Sequence, residues 1–271
     1  MPAVPNFFQR VQKRDKSKNS LLCVGLDTDQ TKLPSHLKDS TDGIIEFNKA
    51  IIDSTFDLVC CYKPQIAYYS SQSAEDALIE TIRYAQSKGV PVLLDAKRGD
   101  IGNTAEQYAR ELFERYQADA ITVNPYMGTD TLEPYLAYED KGIFILCRTS
   151  NPGGVDLQNL KLENGRQVFE HVAHLAAEKW NDRGNVGLVV GATQPAELAR
   201  VREITGDMSL LVPGVGAQGG DIKALMHAAL GKQVIVSSSR GVIYASTGED
   251  FAEAARANAI ETRDKINAVR N

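Results

Sequence analysis

The chain has 271 residues, 43 % of them apolar, and a formal net charge of −5 at pH 7. That apolar share suffices for a sizeable core and excludes a disordered chain, while the acidic balance excludes a general affinity for nucleic acid or anionic membranes. No apolar run reaches the roughly 18 residues that cross a bilayer, and residues 1–20, with Pro2, Pro5 and many charges, read as no secretion signal.

Along the chain, short β-branched or apolar runs alternate with longer segments of helical period. Apolar spacing over 6–16 predicts a helix ahead of the first strand, at 21–26. Asp42 opens a helix at 42–54, before a strand at 58–63. Ser73 precedes a helix at 74–87, and the break Gly89-Val90-Pro91 leads into a strand at 91–95. A helix at 102–116, a strand at 120–123, a helix at 129–138 and a strand at 142–147 follow. The alternation continues with a helix at 164–181, a strand at 186–191 and a helix at 195–204 opened by Pro195. A strand at 209–213, a helix at 221–230, a strand at 233–237 and a tail helix at 249–269 complete it.

The strand runs are continuous rather than alternating, as parallel strands covered by helices require. No linker rich in Pro, Gly or Ser divides the chain, so 1–271 reads as one domain. Eight strand–helix units of this kind suit an α/β fold, a closed (β/α)8 TIM barrel with an extra N-terminal helix, better than an open doubly wound sheet. Cys23, Cys60, Cys61 and Cys147 fall in apolar runs without a C-x-x-C pair and read as buried free thiols of a cytoplasmic protein.

In such a barrel, active sites stand at the C-terminal ends of the strands and in the loops that follow. There the first strand offers Asp27, the second Lys63, and the third Asp95, Lys97 and Asp100. Regular alternation would put Asp95 and Lys97 on one side of their strand. Asp27, Lys63, Asp95 and Lys97 would then form an alternating acid–amine array in the barrel mouth. One such residue reads as a rim salt bridge; several on neighbouring strands read as function, because gathered charges are costly unless paired. The glycine-rich loop 214–220 precedes a helix and would present backbone N–H groups to an anion. Arg240, at the end of the eighth strand, can grip phosphate oxygens bidentately, and Gln218 can add a donor. These features imply a small phosphorylated substrate.

The segment Asp95-Ala96-Lys97-Arg98-Gly99-Asp100-Ile101 resembles the orotidine 5'-phosphate decarboxylase family, whose third strand ends in D-x-K-x-x-D. The resemblance runs from Val24-Gly25-Leu26-Asp27 through Tyr62-Lys63-Pro64 to Pro213-Gly214-Val215-Gly216 and Ser239-Arg240-Gly241. The form DAKRGDIGNTA is similar to the longer bacterial branch. What it implies is an enzyme without cofactor or metal that converts orotidine 5'-monophosphate to uridine 5'-monophosphate and CO2, the last step of pyrimidine (UMP) biosynthesis. Lys97 is then the proton donor to C6 of the pyrimidine, and Asp95 sits beside the substrate carboxylate between Lys63 and Lys97. Lys63 and Asp27 would orient this network and contact the ribose hydroxyls. Asp100 would reach into the neighbouring site of a homodimer, with Thr104 near it. Ser150 is the implied pyrimidine contact, with Thr149 as its alternative because the match is looser over 148–154. Gln218 and Arg240 would hold the phosphate, and Ile101, Pro213 and Ser239 are further substrate contacts. The polar segment 151–161 reads either as a lid or as a plain surface loop.

The nearest alternative is a magnesium-dependent sugar-phosphate decarboxylase or aldolase of the same superfamily. Its metal-binding Glu would stand where this chain has Lys63, a cation that repels the ion. A Schiff-base aldolase needs a neutral, desolvated amine, and a non-catalytic nucleotide-binding barrel has no use for the charged array. His171 and His174 lack the glutamate of a zinc-protease helix and read as a solvated face, while Trp180 reads as helix packing.

Overall fold

Residues 5–38, 41–193, 195–214, 222–229 and 233–270 are described by the structure, a computed structural model. The strands are β1 (Leu22–Leu26), β2 (Cys61–Pro64), β3 (Leu93–Arg98), β4 (Ala120–Val123), β5 (Gly142–Arg148), β6 (Val186–Val190), β7 (Ser209–Pro213) and β8 (Val234–Ser238). They pair in parallel in the order β2-β1-β8-β7-β6-β5-β4-β3. Bridges from Tyr62 to Val92 and from Gln65 to Asp95 join the two ends, giving the expected (β/α)8 TIM barrel.

The continuous apolar strands divide by their period of two into separate cores. Cys23, Cys61, Leu93, Ala120, Phe144, Val189, Leu211 and Ile235 form one cluster inside the barrel. Their neighbours Val24, Tyr62, Leu94, Ile121, Ile145, Leu188, Leu210 and Val236 belong to the larger cluster under the helices. The expected N-terminal helix is present at Phe7–Lys18 and supplies Phe7, Phe8 and Val11 to the inner cluster, so it plugs the barrel bottom. Phe7 meets Phe144 edge-on with ring centres 5.9 Å apart. A capping box starts this helix: Gln9 N donates to Asn6 Oδ1 and Asn6 N to Gln9 Oε1, both at 3.0 Å.

Two residues beyond the inner cluster, strand alternation aims Lys63, Asp95, Thr122, Leu146, Pro213 and Ser237 into the opposite end of the barrel. This plugged floor and polar mouth are what the fold contributes to the site.

Several boundaries differ from the sequence reading. β2 begins only at Cys61, and β3 runs on to Arg98 through an irregular register. The helix expected at 102–116 is regular over Gly102–Arg110 and then widens into a π-type turn, Glu111–Arg115. Likewise 164–181 resolves into Val168–Leu175 and a π-type turn at Ala176–Trp180. That turn brings Trp180 inward, where Nε1 donates to Thr129 Oγ1 at 3.1 Å. His171 and His174 are half-buried rather than fully solvated, and His174 Nδ1 lies 2.7 Å from Glu178 Oε1. All four cysteines are buried and free. No described helix is long and apolar enough to cross a membrane.

Arg202 ties the far side of the barrel together. It is 1 % exposed, and its guanidinium donates to the carbonyls of Ala229 (3.1 Å), Gly206 (2.7 Å), Met208 (2.6 Å) and Gln233 (3.0 Å). Burial lowers its pKa to about 10, so it stays charged at neutral pH. Arg202→Met keeps the apolar stem but strips these acceptors of their donor. A loss of about 3 kcal/mol in urea unfolding is expected; an unchanged midpoint would show the carbonyls find water instead.

Candidate active site

The mouth gathers the four charged residues singled out by the sequence. Lys63 Nζ lies 3.0 Å from Asp95 Oδ2 and 3.9 Å from Asp27 Oδ1, and Lys97 Nζ lies 2.5 Å from Asp95 Oδ1. Lys63 and Asp95 are buried, whereas the Lys97 side chain keeps 43 % exposure and borders open space. One carboxylate is thus held between two ammoniums, the inner one enclosed and the outer one reachable.

Strand alternation is not what brings Asp95 and Lys97 together, contrary to the sequence reading. Lys97 has φ +47°, in the left-handed region, and the pairing of β3 with β4 shifts between Leu94 and Arg98. The N–H groups of Ala96 and Lys97 donate to Thr122 Oγ1 at 3.0 and 2.9 Å. Thr122 Oγ1 in turn donates to Asp95 Oδ1 at 2.8 Å. The sequence reading passed over Thr122; a hydroxyl two residues after the inner-cluster position Ala120 was the available signal.

Electrostatics follow from this packing. Burial alone would push the Asp95 carboxyl up, but Lys63 and Lys97, with hydrogen bonds from Lys97 and Thr122, hold it well below the usual carboxylate range. Burial alone would push the Lys63 ammonium down, but Asp95 and Asp27 outweigh it and hold it above the ordinary lysine value. Asp27 Oδ1 is buried and has no hydrogen-bond partner among the described residues, an acceptor that faces Lys63 Nζ at 3.9 Å. Its main chain is fixed from behind: Tyr69 Oη donates to Leu26 O at 2.9 Å and Tyr244 Oη to Asp27 O at 3.3 Å.

Beside the network opens a cavity of about 390 Å³. Asp95, Lys97 and Thr122 form one wall, Leu146, Val189 and Leu211 an apolar wall, and Thr149, Ser150, Asn151 and Pro213 part of the rim. Such a space accepts a flat ring with one polar edge. Thr149 Oγ1 is committed to Asn151 Oδ1 at 2.6 Å and receives Gln158 Nε2 at 2.8 Å. Gly191 admits the Ser150 backbone: a Cβ there would stand 2.8 Å from Ser150 N. Arg148, 1 % exposed, anchors the following segment through Gln158 Oε1 at 3.2 Å and pairs with Glu197 Oε1 at 3.2 Å. The segment 151–161 is therefore a tethered one, with a 3-10 turn at Pro152–Asp156, that exposes Val155, Leu157 and Leu160.

The remaining predicted residues stand apart from the network. Asp100 Oδ1 accepts from Ile101 N at 2.8 Å, and Ile101 and Thr104 are exposed at the rim. Ser239 closes on β1, donating to Gly25 O at 3.3 Å. A Cβ at Gly25 would collide with Ser239 Cβ at 2.6 Å, so only glycine lets β1 and this turn meet. Arg240 is exposed and begins the short helix Arg240–Ile243 after β8. Gln218, and the loop 214–220 apart from Gly214, lie outside the described residues.

The family model described as Orotidine 5'-phosphate decarboxylase / HUMPS family matches residues 20–257. A relative from Azoarcus sp. (strain BH72), named orotidine 5'-phosphate decarboxylase, is 59 % identical over 271 residues, covering 98 % of this chain and 100 % of the relative. One of the same name from Dechloromonas aromatica (strain RCB) is 58 % identical, covering 97 % of this chain and 99 % of the relative. Among solved structures, Leishmania donovani OMP decarboxylase superposes with a TM-score of 0.83 at 41 % identity, covering 98 % of each chain.

Proposed function

The chain belongs to the orotidine 5'-phosphate decarboxylase / HUMPS family, and we propose how its barrel mouth performs that family's reaction. The enzyme decarboxylates orotidine 5'-monophosphate to uridine 5'-monophosphate and CO2, a step of pyrimidine biosynthesis. The observation that carries the site assignment is Asp95 held between Lys63 Nζ (3.0 Å) and Lys97 Nζ (2.5 Å) at the edge of the cavity.

Loss of CO2 from C6 leaves an electron pair on a vinylic carbon with little resonance relief. A fixed ammonium at that carbon stabilises the developing charge and then supplies the proton. Lys97, the exposed member of the array, takes this role, with its Nζ reset by solvent after each turnover. Asp95 lies beside the departing carboxylate, so its like charge is relieved as CO2 leaves. Lys63 stays charged and neutralises Asp95 from below. Asp27, with its unpartnered oxygen, accepts a ribose hydroxyl, and Ser150 and Pro213 border the pyrimidine. No metal enters this scheme, because the Lys63 and Lys97 ammoniums together balance the Asp27 and Asp95 carboxylates.

The phosphate is assigned to Arg240, Gln218 and the loop before 222. Arg240→Ala is expected to raise KM for the substrate by about 100-fold or more, the worth of a bidentate charge-assisted pair. An unchanged KM in steady-state assays would move the phosphate elsewhere.

The same reading extends to a homodimer in the cytoplasm, with 1–271 acting as one catalytic domain. Thr104 is exposed, and Ile101 (61 %), Tyr126 (77 %) and Met127 (41 %) are large apolar residues left exposed. A second copy covering this patch would place Asp100 at its neighbour's mouth. Four unpaired thiols suit a reducing compartment.

A further inference from the structure

We propose that Thr122 is a positioning residue for the decarboxylation, its one hydroxyl fixing both the main chain at Lys97 and the carboxylate of Asp95. The inference rests on the reading of Lys97 as proton donor.

A threonine hydroxyl has one proton and two lone pairs. At Thr122 all three are spent: Ala96 N donates at 3.0 Å, Lys97 N donates at 2.9 Å, and the hydroxyl proton goes to Asp95 Oδ1 at 2.8 Å. Because two N–H groups face the oxygen, its proton has only the carboxylate to meet. The orientation of the hydroxyl is thereby dictated, and one oxygen of Asp95 is held at the point that Lys97 Nζ also reaches.

The need for such a fastening arises from β3 itself. Its ladder with β4 is irregular between Leu94 and Arg98, so two consecutive N–H groups turn to a side chain on β4 instead. Lys97 sits at φ +47°, a conformation that residues with a Cβ avoid unless their surroundings impose it. The surroundings that impose it are the Thr122 bonds. Freed of them, the backbone at Lys97 would relax toward extended geometry and carry Nζ away from the reacting carbon.

Packing does not explain the choice of residue. Thr122 is 1 % exposed on a strand whose other members, Ala120, Ile121 and Val123, are apolar. Valine has the same shape and would fill the site equally well, but it would strand the N–H groups of Ala96 and Lys97 and remove a donor from Asp95.

The test compares Thr122→Val, Thr122→Ala and Thr122→Ser by circular dichroism, kcat, KM for orotidine 5'-monophosphate and affinity for uridine 5'-monophosphate. In whichever of the Val and Ala variants folds, kcat should fall about 10- to 100-fold, the cost of a misplaced reacting group. KM and product affinity should stay within about threefold, since the loss is confined to the reacting geometry. Thr122→Ser should restore kcat to within about threefold of the parent, because it returns the hydroxyl. A parental kcat in Thr122→Val or Thr122→Ala, a loss that falls on KM alone, or a serine variant as slow as valine would each overturn the proposal. Lys97→Ala, assayed in parallel, separates the two claims. If it turns over normally, the proton-donor reading fails and this inference with it; if it is dead while Thr122→Val is normal, only this inference fails.

Discussion

Replacing Lys97 by alanine is expected to lower kcat by about 10⁴-fold or more, because in the proposed scheme one side chain supplies both charge stabilisation and the proton. Affinity for uridine 5'-monophosphate should change by no more than about tenfold, since the proposed phosphate and ribose contacts remain. The fold should survive as well. Lys97 is 43 % exposed on its side chain, and Asp95 keeps Lys63 at 3.0 Å and Thr122 at 2.8 Å, so no carboxylate is abandoned. Single-turnover kinetics with calorimetric binding of the product checks both halves. A kcat within about tenfold of the parent would remove Lys97 from the chemistry.

Lys63→Met should behave differently, although the two lysines look alike in the sequence. Lys63 is only 5 % exposed and Asp95 7 %, so removing the ammonium leaves a buried carboxylate with the outer lysine as its one counter-charge beside the Thr122 hydroxyl. A loss of about 3–5 kcal/mol at pH 7 is expected, the usual cost of breaking a buried pair from one side. Its pH dependence has a definite sign. Asp95 is depressed in the folded protein, so its contribution is present above the unfolded carboxylate value of about 3.9 and is lost as pH falls below it. Lys63 is raised, so its contribution is present below about 10.4 and is lost as pH rises beyond that. The stability gap between parent and Lys63→Met should therefore be wide and flat around neutrality and narrow below about pH 4. Urea unfolding at pH 7 and pH 3 measures it; an equal gap at both would mean that packing, not charge, is lost.

The barrel was legible because its signal is repeated around the ring. Eight apolar runs of strand length, each followed by a helical segment, leave few topologies, and the split of alternate residues into two cores follows from the same period. The acid–amine array was legible because charges at the C-terminal ends of strands are conspicuous in type and place. What escaped was the device that joins Asp95 to Lys97. Alternation predicts the right neighbours there for the wrong reason, since the left-handed turn at Lys97 depends on a hydroxyl from β4, twenty-odd residues away in the chain. Arg148 escaped for a related reason: it stands at a strand end like the acid–amine array, but its guanidinium turns to Glu197 and Gln158 and serves the loop. Helix ends were misplaced where regular turns widen, as at Glu111–Arg115, because apolar spacing alone does not distinguish the wider turn.

The most direct measurement is the ultraviolet absorbance of orotidine 5'-monophosphate with the purified protein in excess EDTA. Catalytic loss of the orotate band, with uridine 5'-monophosphate as product, is the result predicted for proton donation by Lys97 without a metal. A folded protein that leaves the band unchanged, or that needs a divalent ion restored before it acts, would contradict it.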